Sequence, residues 1–170
     1  PDDPQAQLNL GMFHLRGDEI DKAYPYLQTA ADKGLGTAEL YAALSEAERL
    51  KKNETKSREF LEKSFQLDPG NVRTLRQLAT SYFEEKNYAK AAPLFERALR
   101  IWERIYGPDN LALTADLSNL GNCYEWLKRE KEAETIFLRA LSIDEKNLPG
   151  DSLDLASDRH NLGMLYTFTK

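Results

Sequence analysis

Histidine and cysteine, which most often act as nucleophiles, proton carriers or metal ligands, are scarce in this sequence. The chain contains two histidines, His14 and His160, and one cysteine, Cys123. One thiol can form neither an intramolecular disulfide nor a multi-cysteine metal site, and the histidines lie far apart along the chain. Cys123 has no basic neighbour or helix start to lower its pKa, so we expect a half-buried structural thiol. The sequence therefore predicts that the protein is not an enzyme and has no catalytic residue, metal site or cofactor.

Side chains suited to holding a peptide are more frequent. Arg73 and Arg76 would share one face of a helix, where their paired donors could bind a carboxylate. Asn119, Asn122 and Asn161 carry carboxamides, which both donate and accept hydrogen bonds and can hold an extended backbone without reading its sequence. Each set also has a simpler interpretation. The arginines could lie on a solvated face beside glutamates, and the asparagines could lie on a helix surface or bond between repeats.

The overall charge limits the class of partner. Acidic residues outnumber basic ones, 28 to 23, which gives a formal net charge of −5. This balance argues against nucleic acid, whose phosphates demand clustered lysine and arginine, and against an anionic membrane surface. No run of about 18 apolar residues is present, so we expect no membrane insertion. The chain begins without a methionine or a signal-peptide pattern, which suggests a fragment of a longer protein. The lone cysteine favours the cytoplasm, with an exported parent protein as the alternative.

The candidate binding residues belong to an internal repeat, which is the main signal in the sequence. A pair formed by leucine and a small residue recurs at Leu10-Gly11, Leu44-Ser45, Leu78-Ala79, Leu120-Gly121 and Leu162-Gly163. Placing the small residue at position 8 of each unit starts units 1 to 5 at Pro4, Ala38, Val72, Thr114 and Ala156. These starts are 34, 34, 42 and 42 residues apart.

Each unit is predicted to be a pair of helices. Positions 4, 7, 8 and 11 form one stripe at helical spacing, and positions 20, 24 and 27 form a second. Small residues at positions 8, 20 and 27 would let the two backbones approach closely, while larger residues fill the gaps. Segments such as Asp68-Pro69-Gly70-Asn71 would end one helix and cap the next. The pattern predicts nine helices, near residues 4–16, 19–33, 37–51, 54–67, 71–85, 88–106, 111–127, 130–147 and 152–168.

This pattern resembles the tetratricopeptide repeat family across essentially the whole chain. Units 4 and 5 look like the 42-residue repeats of kinesin light chains, and unit 1 is similar to a Sel1-like repeat through Asn9-Leu10-Gly11-Met12. Unit 2 departs from the family, with Glu48 where tyrosine is usual and with Ser57 and Ser64 at close-packing positions. The resemblance implies an all-α, right-handed α-solenoid of antiparallel helix pairs. Four full units and the first helix of a fifth would form a single domain over residues 1–170.

In this family the first helices line a concave groove, which implies a scaffold that binds a protein or peptide there. Positions 2, 5, 6 and 9 of each first helix point away from the second helix and would form the groove wall. Trp126 could be an exposed anchor near the groove edge, whereas Trp102 is expected to pack in the core between repeats. The predicted peptide-binding residues are Arg73, Arg76, Gln77, Thr80, Asn119, Asn122, Trp126, His160 and Asn161.

Two alternative functions stay open. The sequence stops after the first helix of unit 5, so Leu162, Leu165 and Tyr166 are expected to lack a partner helix. Further sequence of a longer parent protein could cover that face. A second copy of the chain could also cover it, which would make this a self-association module and a homo-oligomer. Alternatively, the chain could be the sensor or regulatory part of a larger bacterial signalling protein.

Overall fold

The computed structural model describes residues 3–168, which form nine α-helices and no β-strand. The α-helices are α1 (Pro4–Arg16), α2 (Ile20–Asp32), α3 (Ala38–Leu50), α4 (Glu54–Leu67), α5 (Val72–Glu84), α6 (Tyr88–Tyr106), α7 (Thr114–Trp126), α8 (Glu130–Asn147) and α9 (Leu153–Phe168). A short 3-10 helix, η1 (Leu111–Leu113), precedes α7. The predicted helices are confirmed, and the largest difference is that η1 replaces the first turn of the helix expected over 111–127.

The helices fall into two compact units, which are described separately. The N-terminal unit is Pro1–Leu78 and the C-terminal unit is Ala79–Lys170, so the division falls within α5. In the N-terminal unit, α1 packs against α2, α3 against α4, and α2 against α3. In the C-terminal unit, α6 packs against α7, α7 against α8, and α8 against α9. The N-terminal unit thus contains the predicted pairs α1/α2 and α3/α4, and the C-terminal unit contains the predicted pair α7/α8. The single domain expected over 1–170 stays a prediction.

Side chains of the connecting segments cap the helices where a repeat begins. Asn71 Oδ1 accepts a hydrogen bond of 3.1 Å from the backbone N–H of Thr74, at the start of α5. Ser152 Oγ accepts one of 3.2 Å from the N–H of Asp154, at the start of α9. These oxygens satisfy backbone donors that have no partner inside the helix. The residues that predicted a break between successive repeats therefore cap the helices that begin there.

The turn inside a repeat has the same backbone conformation in four repeats. Position 15 is left-handed at Asp18, Lys52, Lys86 and Lys128, with φ between 57° and 61°. The following N–H returns to the carbonyl of position 11, as from Arg129 to Tyr124 at 2.8 Å. This is a Schellman C-cap, which usually places glycine in the left-handed position. Sequence analysis missed the motif because none of the four residues is glycine.

Small residues at position 8 allow the two helices of a repeat to approach closely. In the N-terminal unit, a Cβ added to Gly11 of α1 would lie 2.6 Å from Cγ of Leu27 in α2. In the C-terminal unit, a Cβ added to Gly121 of α7 would lie 2.6 Å from Cδ1 of Phe137 in α8. Leu27 and Phe137 are fully buried, so neither can move aside without disturbing the core. The predicted pairing of small and large positions is confirmed at these two contacts.

The serines that set unit 2 apart make hydrogen bonds inside the N-terminal unit. Ser57 Oγ lies 3.0 Å from Ser45 Oγ, at the contact between α3 and α4. Ser64 Oγ donates to the carbonyl oxygen of Ala38 at 2.9 Å. Serine keeps the small volume that close packing requires, and each buried hydroxyl has a partner. Unit 2 is therefore a genuine repeat with a more polar interface between its helices.

Position 11 bonds to the preceding second helix in both units, but with the residue types exchanged. In the N-terminal unit, Tyr24 Oη of α2 donates to Glu48 Oε1 of α3 at 2.7 Å. In the C-terminal unit, Tyr166 Oη of α9 donates to Glu134 Oε1 of α8 at 2.6 Å. Tyr24 and Glu134 both occupy position 21 of their repeats, so tyrosine and glutamate have changed places between the two hydrogen bonds. The departure at Glu48 is thus a reversed pair and not a lost contact.

Two expectations about burial in the C-terminal unit are wrong. Leu162 and Leu165 do not lack cover, since they are only 7% and 2% exposed. α9 packs against α8 and α7, so the preceding repeat covers these leucines. At Gly163, by contrast, an added Cβ would meet no atom of the described residues within 4 Å. Cys123, expected to be half-buried, is fully buried, and Leu165 at the same position of α9 is buried as well.

Candidate functional site

The N-terminal unit contains a groove with a volume of about 620 Å³. Three residues of the connecting segments, Thr37, Asp68 and Asn71, form part of its rim. Its remaining lining residues all belong to first helices and are Met12, Leu15, Arg16, Ala38, Glu39, Ala42, Ala43, Glu46, Arg73, Thr74 and Gln77. None of the described residues that line it comes from α2 or α4. The groove therefore lies on the face that positions 2, 5, 6 and 9 were predicted to form.

The floor of this groove is small and apolar. Ala42 and Ala43 occupy positions 5 and 6 of α3, and Met12 and Leu15 of α1 pack beside the cluster that contains Ala43. Methyl groups leave room above the helix backbone, so a side chain from another molecule could enter and bury its apolar surface. Shape and lining both suit a short apolar segment.

The wall of the groove carries charges of both signs. Glu46 Oε1 accepts a hydrogen bond of 2.6 Å from Arg49, and Gln77 Nε2 donates to Glu46 Oε2 at 3.3 Å. The second bond joins α3 to α5 across the groove. Glu39 on α3 and Arg73 on α5 also line it, without a single dominant sign. Polar groups that converge on an apolar floor can orient a bound segment.

Three of the predicted binding residues lie on the part of α5 within this unit, and the groove brings two of them together. Arg73 and Gln77 line it. Arg76 is half-buried, is absent from the lining and takes part in an interaction within the chain. The suggested pair of arginines is thus not assembled in the groove. Thr80 is exposed and belongs to the C-terminal unit.

Three carboxamides lie on the first helices of the C-terminal unit. Asn119 and Asn122 on α7 and Asn161 on α9 are half-buried. Among residues 3–168, none of the three side chains has a hydrogen-bond partner. A carboxamide in this state keeps two donors and an acceptor available for a ligand. His160, exposed at position 5 of α9, precedes Asn161.

An exposed aromatic side chain follows Asn122 by about one helical turn. Trp126, at the end of α7, is 63% exposed, and its ring stacks on Tyr88 with centroids 5.5 Å apart and an interplanar angle of 7°. Phe83 contacts Tyr88 edge-on at 5.3 Å. The stack fixes the indole while leaving most of it accessible, which suits an anchor for a partner. Trp102, by contrast, is half-buried and stacks on Tyr106.

Sequence analysis missed Phe83 and Tyr88 as supports of this anchor. Phe83 is near the end of α5 and Tyr88 begins α6, so the two flank the turn inside one repeat. Trp126 comes from the next repeat, and only the packing of α6 against α7 brings it to Tyr88. The sole signal in the sequence is the pair of aromatic residues around the turn.

Two buried carboxyl groups of the C-terminal unit also escaped sequence analysis. Asp144 of α8 and Asp158 of α9 are 1% and 3% exposed. Ser118 Oγ of α7 donates to Asp158 Oδ1 at 3.2 Å. Burial, assisted by the negative charge of Asp144, raises the pKa of Asp158 to about 6, and burial raises the pKa of Asp144 as well. Because carboxylates on helices usually face solvent, the sequence alone gave no reason to bury them.

The residues that could have been catalytic are held in structural contacts. His14 Nδ1 lies 2.6 Å from Glu19 Oε2, and the imidazole stacks on Tyr26 at 5.5 Å. Burial raises the pKa of the Cys123 thiol to about 12, so the reactive thiolate is not formed near neutral pH. Across residues 3–168, no cluster of histidine, cysteine, aspartate and glutamate could hold a metal ion. Over the same range, every helix is too short or too polar to span a bilayer.

Comparison with known families identifies the class of protein. A family model for the tetratricopeptide repeat matches residues 71–146 and 112–170, and a second model for the same repeat matches 38–71. The first of these covers more than half of the chain. The chain therefore belongs to the tetratricopeptide repeat family. A search of curated proteins gave no match.

Solved structures of low sequence identity share this fold. YrrB, described as a TPR protein with an unusual peptide-binding site, gives a TM-score of 0.83 at 17% identity, covering 99% of this chain and 78% of that one. BtubC from P. vanneervenii gives 0.72 at 19% identity, over 93% and 69% of the two chains. A putative kinesin light chain from Podosopora anserina gives 0.70 at 16% identity, over 96% and 85%. These likenesses confirm the all-α helical-repeat solenoid. Tetratricopeptide repeat proteins are generally non-enzymatic scaffolds for protein–protein interaction.

Proposed function

We propose that this chain binds extended segments of partner proteins on the exposed faces of its first helices. The main support is the N-terminal groove, because its helical lining comes from α1, α3 and α5 and includes no residue of α2 or α4. A groove of about 620 Å³ is large enough for a few side chains of a peptide. The structural likeness to YrrB, whose description names a peptide-binding site, is consistent with this role.

In the N-terminal groove, the partner's apolar side chains would contribute most of the affinity. The floor at Ala42 and Ala43 offers space, and Met12 offers a flexible apolar wall that adapts to different side chains. Glu39 and Arg73 would form charged contacts at the sides of the groove, which contribute more to orientation than to affinity. The preferred segment is therefore apolar at its centre and carries charges of both signs at its ends.

In the C-terminal unit, the partner's backbone would be recognised in place of its side chains. Asn119, Asn122 and Asn161 are free to bond to backbone N–H and carbonyl groups, which every sequence offers. Trp126, fixed by Tyr88, would bury an apolar side chain of the same segment. This face would hold a segment in extended conformation, because only an extended backbone leaves its polar groups unpaired.

The proposal is tested by selecting a peptide from a library on the wild-type chain and measuring its affinity for variants by fluorescence anisotropy. Ala42→Met fills the floor of the N-terminal groove. Asn119→Ala combined with Asn161→Ala removes two carboxamides. If a selected peptide occupies the carboxamide face, losing two hydrogen bonds should weaken binding about tenfold. A peptide in the N-terminal groove should lose affinity for the Ala42→Met variant instead.

Control variants place similar changes on second helices. Ala89→Met adds the same volume to an exposed position of α6, and Thr135→Ala removes a polar group from an exposed position of α8. Both controls should bind as tightly as the wild type. Equal affinity of the groove variants and the wild type for every selected peptide would place the binding site elsewhere and refute the proposal.

A second candidate function is self-association through α9. Within residues 3–168, a Cβ on Gly163 would meet no atom within 4 Å, and Met164 and Tyr166 are 38% and 46% exposed. In α7 the equivalent position, Gly121, is covered by Phe137 of the second helix. Light scattering should then show a dimer for the wild type and a monomer for Gly163→Arg. A wild-type monomer at all concentrations would exclude this function.

A further inference from the structure

We infer that a proton shared by Asp144 and Asp158 stabilises the packing of α9 against α8 and makes this packing dependent on pH. Asp144 belongs to α8 and Asp158 to α9, so the pair joins two helices that pack against each other. Both side chains are almost completely buried, at 1% and 3% exposure. Carboxyl groups at this depth lose the water that would normally stabilise their charge.

Each of the two carboxyl groups has one oxygen that receives no hydrogen bond from the described residues. Within the part of the chain that the structure describes, Asp144 Oδ1 and Asp158 Oδ2 are buried without a partner. Ser118 donates to the other oxygen of Asp158. Two ionised carboxylates can only accept hydrogen bonds, and their charges repel each other in a buried site. The negative charge of Asp144 acts on Asp158, so one proton on either carboxyl removes the repulsion and supplies a donor.

The surrounding charges favour this proton. Asp154 of α9 adds negative charge near both members of the pair. Arg159 of α9 pairs with Glu145 of α8 at 3.3 Å, and both side chains are about half exposed. From α7, the buried Asp116 has an interaction within the chain, and His160 of α9 is exposed to solvent. Among the described residues, no cation contributes to the shifted pKa of Asp158.

The direction of the pH effect follows from linkage. The pKa of Asp158 is raised from 3.8 to about 6, so between these values the folded protein binds a proton that the unfolded chain has released. The stabilisation from protonation is therefore greatest at low pH, declines as the pH rises through this window and is lost above it. Between pH 5.0 and pH 7.5, the equilibrium for opening of α9 should rise about tenfold.

This device would also affect the proposed binding face, a consequence that rests on the proposed function. Asn161 and His160 lie on α9, and Ser118, which bonds to Asp158, is next to Asn119 on α7. Opening of α9 would withdraw Asn161 from the face that holds a peptide. Peptide affinity at this face should therefore be lower at pH 7.5 than at pH 5.0.

The inference is tested by hydrogen exchange of α9 in the full chain at pH 5.0 and pH 7.5, corrected for intrinsic exchange rates and without any peptide. The wild type should show about tenfold less protection at pH 7.5. Asp158→Asn provides an N–H donor to the Asp144 carboxylate at every pH, so its protection should be equal at both pH values. Asp144→Asn should behave alike and serves if the first variant does not fold.

Two matched variants separate the shared proton from other titrations. Asp154→Asn removes a neighbouring charge, and His160→Gln removes the histidine of α9, but both keep the carboxyl pair and should keep most of the pH dependence. Equal protection of the wild type at both pH values would overturn the inference. The same tenfold dependence in Asp158→Asn would overturn it as well. Neither result would bear on peptide binding, which is measured separately.

Discussion

Helices α7 and α9 carry the same repeat position in two different surroundings. Gly121 of α7 and Gly163 of α9 both occupy position 8 of units that begin 42 residues apart. A Cβ on Gly121 would collide with the ring of Phe137, whereas one on Gly163 would meet nothing within 4 Å in the part of the chain that the structure describes. The difference shows that a repeat position acquires its physical role from the helix packed across it. An added Cβ has no space at Gly121, where α8 packs across α7, but has space at Gly163.

Among the variants that test this comparison, the one that removes the side chain covering Gly121 should change the free energy of unfolding most. Phe137 is fully buried, so Phe137→Ala should lower the free energy of unfolding by about 3–5 kcal/mol through lost apolar burial and a cavity. Urea denaturation of the full chain measures it. Leu138→Ala, at a neighbouring residue that is 47% exposed, is the matched control and should cost much less. Similar losses for both variants would contradict the close packing of α7 on α8.

The two glycines should respond to alanine with opposite signs. Gly121→Ala forces a methyl group against Phe137 and should destabilise the protein by about 1–3 kcal/mol. Gly163→Ala meets open space and replaces a helical glycine, so it should stabilise α9 by up to about 1 kcal/mol. Thermal and urea unfolding of the two variants check the signs. Destabilisation of equal size by both would mean that α9 is covered as α7 is.

The tyrosine–glutamate hydrogen bonds at position 11, in which the two residue types are exchanged, should give a smaller difference in stability between the N-terminal and C-terminal units. Glu48 is 2% exposed and accepts its hydrogen bond from Tyr24, so Tyr24→Phe should cost about 1–2 kcal/mol by leaving a buried carboxylate without a donor. Tyr166→Phe should have no measurable effect, because Tyr166 and its partner Glu134 keep contact with water. The double exchange Tyr24→Glu with Glu48→Tyr should restore part of the loss. No recovery in urea denaturation would contradict the view that the two pairs are equivalent.

The smallest effect is expected at the left-handed turn residue. Lys128 has φ of 61°, a conformation that costs a residue with a Cβ more than it costs glycine. Lys128→Gly should raise the free energy of unfolding by about 0.5–1 kcal/mol. Lys131→Gly, three residues later inside α8, should lower it by about 1 kcal/mol. A decrease for both would show that the turn does not favour glycine.

Most of the fold could be predicted from the sequence, because the same pattern of small and large packing residues recurs in several repeats. Leu10-Gly11 and Leu120-Gly121 each mark a first helix. The glycine of each packs against a larger side chain of the second helix in the same repeat. The helical period also indicated which residues line the N-terminal groove, as Glu39, Ala42 and Glu46 do. These features depend on residues within one helix or one hairpin, where spacing along the sequence fixes spacing in the structure.

What escaped sequence analysis depends on contacts between successive repeats. The pair of Asp144 with Asp158 forms only because α9 packs on α8, and the stack of Trp126 on Tyr88 only because α7 packs on α6. The pattern also suggested that Leu162 is open, since it could not show that the preceding repeat covers this side chain. Packing between successive repeats determines these environments. The spacing of residues within one repeat does not predict that packing.

The most direct measurement of peptide binding on the first helices is an NMR titration of the isotope-labelled chain with a library-selected peptide. Bound peptide should shift resonances of the first-helix faces. These are the side-chain amides of Asn119, Asn122 and Asn161 and the indole N–H of Trp126, or the backbone amides of Ala42 and Ala43. Perturbations confined to the second helices α2, α4, α6 and α8 would contradict it.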